Sequence, residues 1–458
     1  MRSTSRISVL AMAAACGWAV PAHAQEGDAA AIQQELAAMR AQMAEMAVRM
    51  DALQSQLTEA QAKAAAAEAA AGNAVTVAEA AQAAEPATEI SWKGAPEISG
   101  EGGWSFKPRG RLQYDAGFVD APDSTGQPDG FGNEARRIRL GVEGDIPGGF
   151  GYKFEADFAG NEVEVTDAIM TYEDGGLTVS AGQHNPFQSL EELTSSRFSS
   201  FIERAAFTDA FGFERRVGVS AQYGGGDFLA QAGVFTDNID ALPNKSFSLD
   251  GRAVYMPKLG NTQLHLGGSA HYSELNDAAN SVRYRQRPLV HFTSQRFIDT
   301  GGFDATSETG YGLEAAAING PFHFAAEGFW QNVDRPIGDD PTFFGGYAEV
   351  GYFLTGGDTR GYKAGIFDRV KPANPVGEGG IGAIQVNLRY DHLDLTDGGI
   401  VGGTQNGYAL SLVWTPTDYT RFMMNYGRMD YKDALYPAGG TDRDYAVDVF
   451  GARAQIDF

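Results

Sequence analysis

The stretch "RGRLQYDAGFV", residues 109–119, alternates two kinds of side chain along its length. Its even positions are apolar or small: Leu112, Tyr114, Ala116 and Phe118. Its odd positions are charged, polar or glycine: Arg111, Gln113, Asp115 and Gly117. Because successive side chains of a β-strand point to opposite faces, this period of two predicts a strand with one apolar and one polar face.

The same period recurs through residues 104–458, for example in "TQLHLGGSAHY" (262–272), "GYALSLVW" (407–414) and the closing "GARAQIDF" (451–458). So much continuous strand and turn exceeds what one ordinary soluble core can bury. Lipid outside and water inside remove that difficulty, since a closed barrel leaves no strand edge unpaired. The pattern therefore predicts an all-β transmembrane β-barrel whose terminal strand, ending in Phe458, closes the wall.

The connections divide into minimal turns, such as "PGGFG" (147–151) and "EDGG" (173–176), and long polar loops, such as residues 273–308 and 355–380. Short turns on one rim and long loops on the other are typical of outer-membrane barrels. The strand count is sixteen to eighteen, depending on segments near Arg283 and Ile366, and we predict a 16-stranded antiparallel barrel. Near Thr166 the apolar parity switches, which predicts a β-bulge or a strand start.

Composition supports this fold class. Glycine contributes 58 of 458 residues, aromatics 11%, and 59 acidic against 35 basic residues give a formal charge of -24. Many glycines and aromatics without long apolar runs suit a membrane barrel. The acidic balance argues against nucleic acid as a partner, because phosphate backbones need basic surfaces.

Residues 1–24 are expected to be a signal peptide. Arg2 and Arg6 precede the apolar run "ISVLAMAAACGWAV", and Ala22-His23-Ala24 fits a cleavage site before Gln25. The only cysteine, Cys16, lies inside this leader, so the exported chain would have no thiol for disulfides, metal clusters or catalysis. A lipid anchor at Cys16 is an alternative that Ala13 disfavours.

Residues 25–75 are predicted to form an α-helical coiled coil, followed by a linker at 76–103 and the barrel at 104–458. Apolar residues recur at alternating steps of four and three: Ile32, Leu36, Met39, Met43, Met46, Met50, Leu53, Leu57, Ala60, Ala64, Ala67 and Ala71. Such an a/d seam favours self-association, although a single helix packed on its own protein is an alternative. The linker is rich in proline and glycine.

Several runs resemble the phosphate-selective porin O and P family: "EARRIRLGVEGDI" (134–146), "YKFEADF" (152–158), "DAIMTY" (167–172), "FIERA" (201–205), "GYFLTGGDTRGY" (351–362), "FDRVKP" (367–372) and "NLRYDHLDL" (387–395). The resemblance covers about residues 100–458. It implies a sixteen-stranded trimeric channel in the bacterial outer membrane, with a periplasmic helical region and an inward-folded loop. It also implies that residues 283–303 and 355–379 are loops rather than wall strands, which gives sixteen strands.

The resemblance further implies that lumenal Arg and Lys side chains bind and relay anions. The expected function is passive diffusion of small anions, phosphate or polyphosphate, and the expected partners are such anions, the lipid bilayer with its lipopolysaccharide, and further copies of the chain in a homotrimer. Inward parity places these cations in the lumen: Arg111, Arg137, Arg139, Lys153, Arg216, Arg252, Arg389 and Arg453. Arg suits phosphate because its planar fork holds two oxygens at once. Arg136 is expected at the rim or against lipid headgroups.

Inward positions also carry enough carboxylates to pair every one of those cations: Asp115, Glu143, Asp145, Glu155, Asp157, Asp250, Glu314, Glu327, Glu349 and Asp391. A general or weakly cation-selective porin is therefore the main alternative. Residues 184–214 are the longest early insertion, with a helix-like turn near Leu190. As a constriction loop this segment would offer Arg197, Glu203 and Arg204 to the narrowest point, and an external loop at a trimer contact is the alternative.

Enzyme interpretations are weaker, and no cofactor or metal is expected. His265 and His271 point inward from one strand but lie about 20 Å apart, too far to share a metal. A sugar channel is disfavoured because most strand aromatics fall on the lipid-facing parity. A tether that links the outer membrane to the cell wall through its coiled coil remains a further alternative.

Overall fold

A computed structural model describes residues 28–83, 88–241, 246–275 and 281–458. The expected signal peptide, residues 1–24, lies outside these described residues. The chain divides into two units, Met1–Pro86 and Ala87–Phe458.

The first unit contains the helix α1, Asp28–Ala83. Its described side chains, from Ile32 to residue 76, are exposed, and Ile32, Met43 and Leu57 each expose more than half of their area. The helix extends past residue 75, where the sequence suggested a linker, because the Ala-rich continuation keeps high helix propensity after the large apolar residues end. No helix in the described part of the chain is long and apolar enough to span a membrane.

The second unit is built around sixteen long strands, which confirms the predicted fold. The strands are β1 Trp104–Asp120, β2 Gly130–Ile146, β3 Phe150–Asp157, β4 Glu164–Asp174, β5 Leu177–His184, β6 Arg216–Gly225, β7 Phe228–Phe235, β8 Phe247–Tyr255, β9 Thr262–Glu274, β10 Ser307–Asn319, β11 Phe322–Asp334, β12 Thr342–Phe353, β13 Ala383–Asp397, β14 Ile400–Thr417, β15 Thr420–Lys432 and β16 Tyr445–Asp457. Each strand pairs antiparallel with its sequence neighbours.

The last strand closes the wall on the first. β16 pairs antiparallel with β1, and Arg453 lies opposite Asp115. Beyond the strand, the Phe458 N–H donates to the Gly110 carbonyl at 3.0 Å, and the Gly110 N–H donates to the Phe458 carbonyl at 3.1 Å. Closure satisfies the backbone groups that an open sheet would leave unpaired.

The wall has an apolar outer face and a polar inner face, as the alternation predicted. In β1, Leu112, Tyr114 and Phe118 expose 44–54% of their area, whereas Gln113 and Asp115 are buried. The outer surface of the barrel is therefore apolar over a wide band, which is the surface that lipid requires.

A hairpin of Thr88–Trp92 and Pro96–Gly100 precedes β1 and pairs with its first residues. It lies within residues 76–103, where the sequence suggested only a linker. The segment "EISWKGAPEIS" supplies β-branched and aromatic residues on both sides of a Lys-Gly turn, so it has the local preferences of a hairpin.

The switch of parity at Thr166 is a β-bulge, as predicted. Glu155 of β3 pairs with Asp167 of β4, while the next residue, Ala156, pairs with Val165. Thr166 is the extra residue, and its hydroxyl donates to the Glu155 carbonyl at 3.0 Å.

Connections at the two rims differ in length, with one reversal. The short-turn rim has connections such as 175–176, 226–227 and 320–321, and the long-loop rim has 185–215 and 275–306. Residues 354–382 join β12 to β13, so this long loop lies on the short-turn rim, contrary to the expected asymmetry. The following connection, on the opposite rim, is only Gly398–Gly399.

The loops contain short elements of their own. These are the helices α2 Leu190–Leu193 and α3 Ala206–Ala210, two 3-10 turns at Asp123–Thr125 and Ile239–Ala241, a two-residue strand at Lys258–Leu259, and the strand pairs Ser281–Val282 with Phe303–Asp304, Arg285–Gln286 with Ile298–Asp299, and Gly361–Lys363 with Ile366–Asp368. The segments near Arg283 and Ile366 are thus loops with small hairpins, and neither adds a wall strand.

Part of the lumen is packed with side chains rather than open. The loops 185–215, 281–306 and 354–382 contribute Phe207, Phe297 and Phe367 to a buried apolar cluster that also includes Phe329 and Tyr347 of the wall. Phe207 stacks between Phe329 and Tyr347, with ring centroids 6.1 and 6.4 Å apart. The sequence had suggested a water-filled interior, but loops this rich in phenylalanine bury their rings against one side of the wall.

The outward parity of β14 gives a test of the lipid-facing surface. Leu410 faces outward between the aromatic positions Tyr408 and Trp414, so we expect Leu410→Arg to lower the free energy of unfolding by about 2–4 kcal/mol in lipid vesicles. The matched control is Asn406→Arg, on the same face nearer the long-loop rim, with an expected loss of about 0–1 kcal/mol. Urea titration of both variants measures the difference, and equal losses would contradict the assignment of the faces.

Candidate functional site

The loop 185–215 enters the lumen and is held there by polar side chains of the wall. Asn425 Oδ1 accepts the Ile202 N–H at 2.7 Å, and Asp391 Oδ2 accepts the Ala206 N–H at 2.9 Å. The Ser411 hydroxyl donates to the Ser200 carbonyl at 2.7 Å. These three residues belong to β15, β13 and β14, so the far wall fixes the path of the loop backbone.

A wall carboxylate also caps the short helix α2. Glu327 of β11 accepts the Leu190 N–H at 2.9 Å and the Glu191 N–H at 2.7 Å, and it accepts the Ser189 hydroxyl at 2.9 Å. Free N–H groups at the start of a helix need such partners, especially where water is excluded. The inner wall therefore determines where α2 begins.

The loop and the wall strands β1 to β4 enclose a cavity of about 1090 Å³. Ten Lys and Arg side chains of the described residues line it: Arg109, Arg111, Arg136, Arg137, Arg139, Lys153, Arg197, Arg204, Arg215 and Arg287. Eight carboxylates line it as well: Glu164, Asp167, Glu192, Glu203, Asp209, Glu214, Asp240 and Asp368. The lining thus carries slightly more positive than negative charge, although the whole chain is at -24.

Four of the cations predicted from parity line this cavity. Arg111 donates to the Ser196 hydroxyl at 2.8 Å and lies 3.7 Å from Glu155. Arg137 donates to Gln113 Oε1 at 3.0 Å and has no carboxylate within ion-pair distance in the described part of the chain.

The other two are more tightly paired. Arg139 contacts Asp157 at 2.7 Å and Glu155 at 3.2 Å, and Lys153 contacts Asp167 at 2.5 Å. The charges of Arg111 and Arg137 are therefore less compensated by carboxylates than those of Arg139 and Lys153, so they attract an anion more strongly.

The remaining four predicted cations do not line the cavity. Arg252 pairs with Glu314 at 2.6 Å, and Arg389 pairs with Glu349 at 2.8 Å. Arg453 pairs with Asp115 across the closing seam at 2.7 Å. All three guanidinium groups are fully buried.

Arg216 is the fourth, and it lies 3.4 Å from Asp237. Inward parity therefore identified side chains inside the wall, but it did not separate those that line the cavity from those that do not.

Arg136 lies inside the barrel, so the expectation that it contacts lipid or the rim is wrong. Gln113 pairs with Arg137 and Tyr114 with Ala135, which makes Arg136 the extra residue of a bulge in β2. The bulge turns two consecutive side chains inward. Arg136 then forms a two-pronged ion pair with Glu203 of the loop, at 2.9 and 3.2 Å.

The three loop residues singled out from the sequence all line the cavity. Arg204 organises the loop itself, donating to the carbonyls of Glu191, Glu192 and Thr194 at 2.9–3.0 Å. Arg197 lies 3.6 Å from Asp457 of β16.

Two loop carboxylates differ in their proton affinity. Burial would raise the pKa of Glu203, but the guanidinium groups of Arg136, Arg137 and Arg453 outweigh it and hold that pKa well below its ordinary value. Burial raises the pKa of Glu192, and the Arg204 charge offsets it only in part.

Glu214 behaves like Glu192, because burial raises its pKa against the opposing charge of Arg216. Acid therefore neutralises Glu192 and Glu214 before Glu203.

Sequence reasoning missed Arg421 on β15. Its Nη1 donates to the Arg197 carbonyl at 2.7 Å, and its Nη2 donates to the Ser199 carbonyl at 2.9 Å. Arg421 shares the inward parity of Asn425, which is the signal that identifies it. Arg109, which lines the cavity and pairs with Glu143, shares the parity of Arg111 in the same way.

The two histidines singled out from the sequence, His265 and His271, have separate partners. His265 Nδ1 lies 2.7 Å from the Tyr362 hydroxyl, and His271 Nδ1 lies 2.8 Å from Asp250. Within the described ranges, no group of three or more His, Cys, Asp or Glu side chains could hold a metal ion.

The family model for phosphate-selective porin O and P matches residues 106–458. The chain belongs to this porin family. It is also 52% identical over 402 residues to an uncharacterized protein of Caulobacter vibrioides, covering 84% of this chain and 81% of that protein. A barrel of this family with this fold is a porin of the bacterial outer membrane.

Solved outer-membrane proteins share the fold at low sequence identity. OmpT of Vibrio cholerae, in its trimer form, is 13% identical, with 78% of this chain and 100% of that chain covered and a TM-score of 0.51. An anion-selective porin of Comamonas acidovorans is 14% identical, with 78% and 100% coverage and a TM-score of 0.50. These similarities establish the fold of the porin. Its ion selectivity has to be argued from its own residues.

Arg421 gives a test of how the porin holds its inward loop. In Arg421→Met the wall loses two charge-assisted hydrogen bonds to loop carbonyls, each contributing about 1.5–3 kcal/mol. We expect the loop to leave its wall position part of the time, so single-channel recordings should show a higher and noisier conductance. The matched control is Arg428→Met, on the outward face of the same strand, which should conduct like the wild type. Unchanged traces for both variants would contradict the role of Arg421.

Proposed function

We propose that this porin allows passive diffusion of small anions, with phosphate or polyphosphate as the preferred solutes. The observation that carries the proposal is the lining of the 1090 Å³ cavity, where cations outnumber carboxylates in a strongly acidic chain. A local excess of positive charge in a confined space attracts anions and repels cations, whatever the net charge of the protein.

Two residues supply the strongest local attraction. Arg137 has no carboxylate partner within ion-pair distance among the described residues, and Arg111 has only Glu155, at 3.7 Å. Guanidinium groups bind phosphate oxygens in pairs and stay charged at neutral pH. Arg139 and Lys153 lie near these two residues. Both form close ion pairs with carboxylates, so they would bind an anion more weakly. A row of moderate sites lets an anion enter and still leave.

The loop 185–215 is the proposed constriction, with Arg197, Glu203 and Arg204 at its surface. Glu203 limits the attraction, because it occupies the space between Arg136 and Arg453 with a fixed negative charge. Arg216, Arg252, Arg389 and Arg453 lie outside the cavity, and we assign them a supporting part in the field of the inner wall.

A general or weakly cation-selective porin is the second candidate. It is favoured by the number of lumenal cations in ion pairs, since Arg139, Arg252 and Arg389 each contact a carboxylate at 2.6–2.8 Å. Paired rows of charge create a transverse field with little net selectivity. The measured ion preference separates the two candidates.

The proposed assembly is a homotrimer in which α1 forms a periplasmic coiled coil. The heptad residues of α1, among them Leu36, Met46 and Leu53, are exposed in the single chain, and such a seam is stable only when other helices cover it. Lipid and lipopolysaccharide would cover the apolar outer band of the barrel. Removing residues 25–85 should leave channel activity intact, which separates a pore from a tether.

Reversal potentials in a KCl gradient across a planar bilayer test the anion preference. The wild-type porin should favour chloride over potassium, and added phosphate should lower the chloride current by competition. Arg137→Gln removes the cation with the least compensated charge, so we expect the preference for chloride to fall clearly. The control is Arg335→Gln in the exposed loop 335–341, which should behave like the wild type. A wild-type preference for potassium would refute the proposal.

Acid should strengthen the anion preference. As the pH falls from neutrality, Glu192 and Glu214 gain protons first because their pKa values are raised above the ordinary carboxyl value, while Glu203 stays ionised because its pKa is depressed. The cavity loses negative charge, so the ratio of anion to cation permeability should rise.

The paired variants separate these carboxylates. Glu192→Gln combined with Glu214→Gln should give the higher ratio already at neutral pH and a smaller response to acid. Glu203→Gln should raise the ratio at neutral pH and keep the wild-type response. A full acid response in the double variant would show that other groups carry it.

A further inference from the structure

A hairpin from the short-turn rim reaches into the lumen and meets the long-loop side. The strands Gly361–Lys363 and Ile366–Asp368 form this inner hairpin. Arg252 Nη2 donates to the Gly365 carbonyl at 2.8 Å, and the Tyr362 hydroxyl lies 2.7 Å from His265 Nδ1. The Phe367 N–H donates to the Thr194 hydroxyl of loop 185–215 at 3.3 Å. Contacts with the wall hold one side of the inner hairpin, and the contact with loop 185–215 holds the other.

The inner hairpin lies between two cavities. Phe367 lines the 1090 Å³ cavity already described. Arg360 and Tyr362 line a second cavity of about 650 Å³ on the short-turn rim, together with Lys258 and the backbone of Gly356. The Arg360 guanidinium lies over the Phe367 ring, 4.7 Å from its centroid, so this stacked pair separates the two spaces.

Arg360 is buried with its charge largely uncompensated. It exposes only 4% of its area, and its Nε and Nη1 have no hydrogen-bond partner among the described residues. The carboxylate that opposes its charge most strongly is Glu349, which already contacts Arg389 at 2.8 Å and His323 at 3.3 Å. Burial lowers the pKa of Arg360, and the charge of Glu349 offsets this only in part.

Asp358 is the one carboxylate among the described residues that line the second cavity, and it is engaged as well. Asp358 accepts the Ala373 N–H at 2.7 Å and the Thr355 hydroxyl, and it is buried. It therefore serves the fold of loop 354–382. Lys258 is exposed at the opening and adds a second positive charge.

We propose that the second cavity is a separate oxyanion-binding site, with Arg360 as its principal ligand and Lys258 at its entrance. A buried guanidinium whose Nε and Nη1 lack hydrogen-bond partners among the described residues favours a ligand that supplies negative oxygens. A tetrahedral oxyanion of the phosphate class fits its planar fork. The site lies on the short-turn rim, on the other side of the Arg360–Phe367 pair from the first cavity. It rests on the proposed function, since its ligand belongs to the class of anions proposed to pass through this porin.

Side-specific block by inorganic phosphate tests the site. Porin inserted in one orientation into a planar bilayer is recorded in chloride, and phosphate is added to one side at a time. With Arg360→Gln, the phosphate concentration that halves the chloride current should rise about tenfold for addition at the short-turn side, which corresponds to 1.4 kcal/mol of lost binding. Addition from the long-loop side should give the wild-type value.

Two further variants keep the result interpretable. Arg360→Lys keeps the positive charge, so phosphate should block this variant nearly as well as the wild type. If the guanidinium has only a structural role, phosphate should block Arg360→Lys as poorly as Arg360→Gln. Arg335→Gln, in an exposed loop away from both cavities, should match the wild type. Heat-modified migration on gels confirms that each variant has folded as a barrel.

The outcomes separate this inference from the proposed function. If phosphate blocks the wild type and Arg360→Gln equally from both sides, the second site is refuted while anion passage stands. If phosphate does not compete with chloride in the wild type at all, the proposed function itself fails.

Discussion

The structure depends on one constraint: inside a bilayer, every backbone N–H and C=O group of the wall must have a partner within the protein. A closed antiparallel barrel meets it, and the seam between β16 and β1 completes the closure through the paired backbones of Gly110 and Phe458. Because strand geometry sends alternate side chains to opposite faces, closure also forces one apolar and one polar surface. Leu112 faces outward and Gln113 inward for this reason alone.

The polar side chains of the inner surface also need hydrogen-bond or ion-pair partners. Much of it is used to hold the inward loops: Asn425 and Asp391 accept loop N–H groups, Glu327 caps α2, and Arg421 donates to loop carbonyls. Arg252 and Arg389 are neutralised by wall carboxylates. The loops in return bury their phenylalanines against Phe329 and Tyr347, so one side of the lumen is packed and the 1090 Å³ cavity lies on the other.

Selectivity in such a pore follows from which charges remain uncompensated after these internal contacts are made. The chain is strongly acidic, yet many of its lumenal carboxylates are engaged by guanidinium groups or backbone N–H groups. Arg111 and Arg137 are less fully compensated, and they lie on the wall that faces the open cavity. The carboxylate of Glu203, on the loop side of the cavity, partly offsets their positive charge. The local arrangement therefore matters more for a passing ion than the total of -24.

The sequence alone determined the barrel, the two faces of the wall and the change of parity near Thr166, because each follows from a period of two that can be read residue by residue. The alternation by itself allowed sixteen to eighteen strands, and the preference for even numbers and the family resemblance reduced these to sixteen. Parity also indicated that Arg111, Arg252 and Arg453 lie inside. Only the tertiary structure decided that Arg111 meets the cavity while Arg252 and Arg453 are buried in ion pairs, since their partners Glu314 and Asp115 are distant in sequence. Only the tertiary structure placed Arg136 inside the barrel and loop 354–382 on the short-turn rim. Arg136 points inward because the pairing of β2 with β1 leaves it as the extra residue of a bulge, and the path of the loop depends on contacts across the barrel.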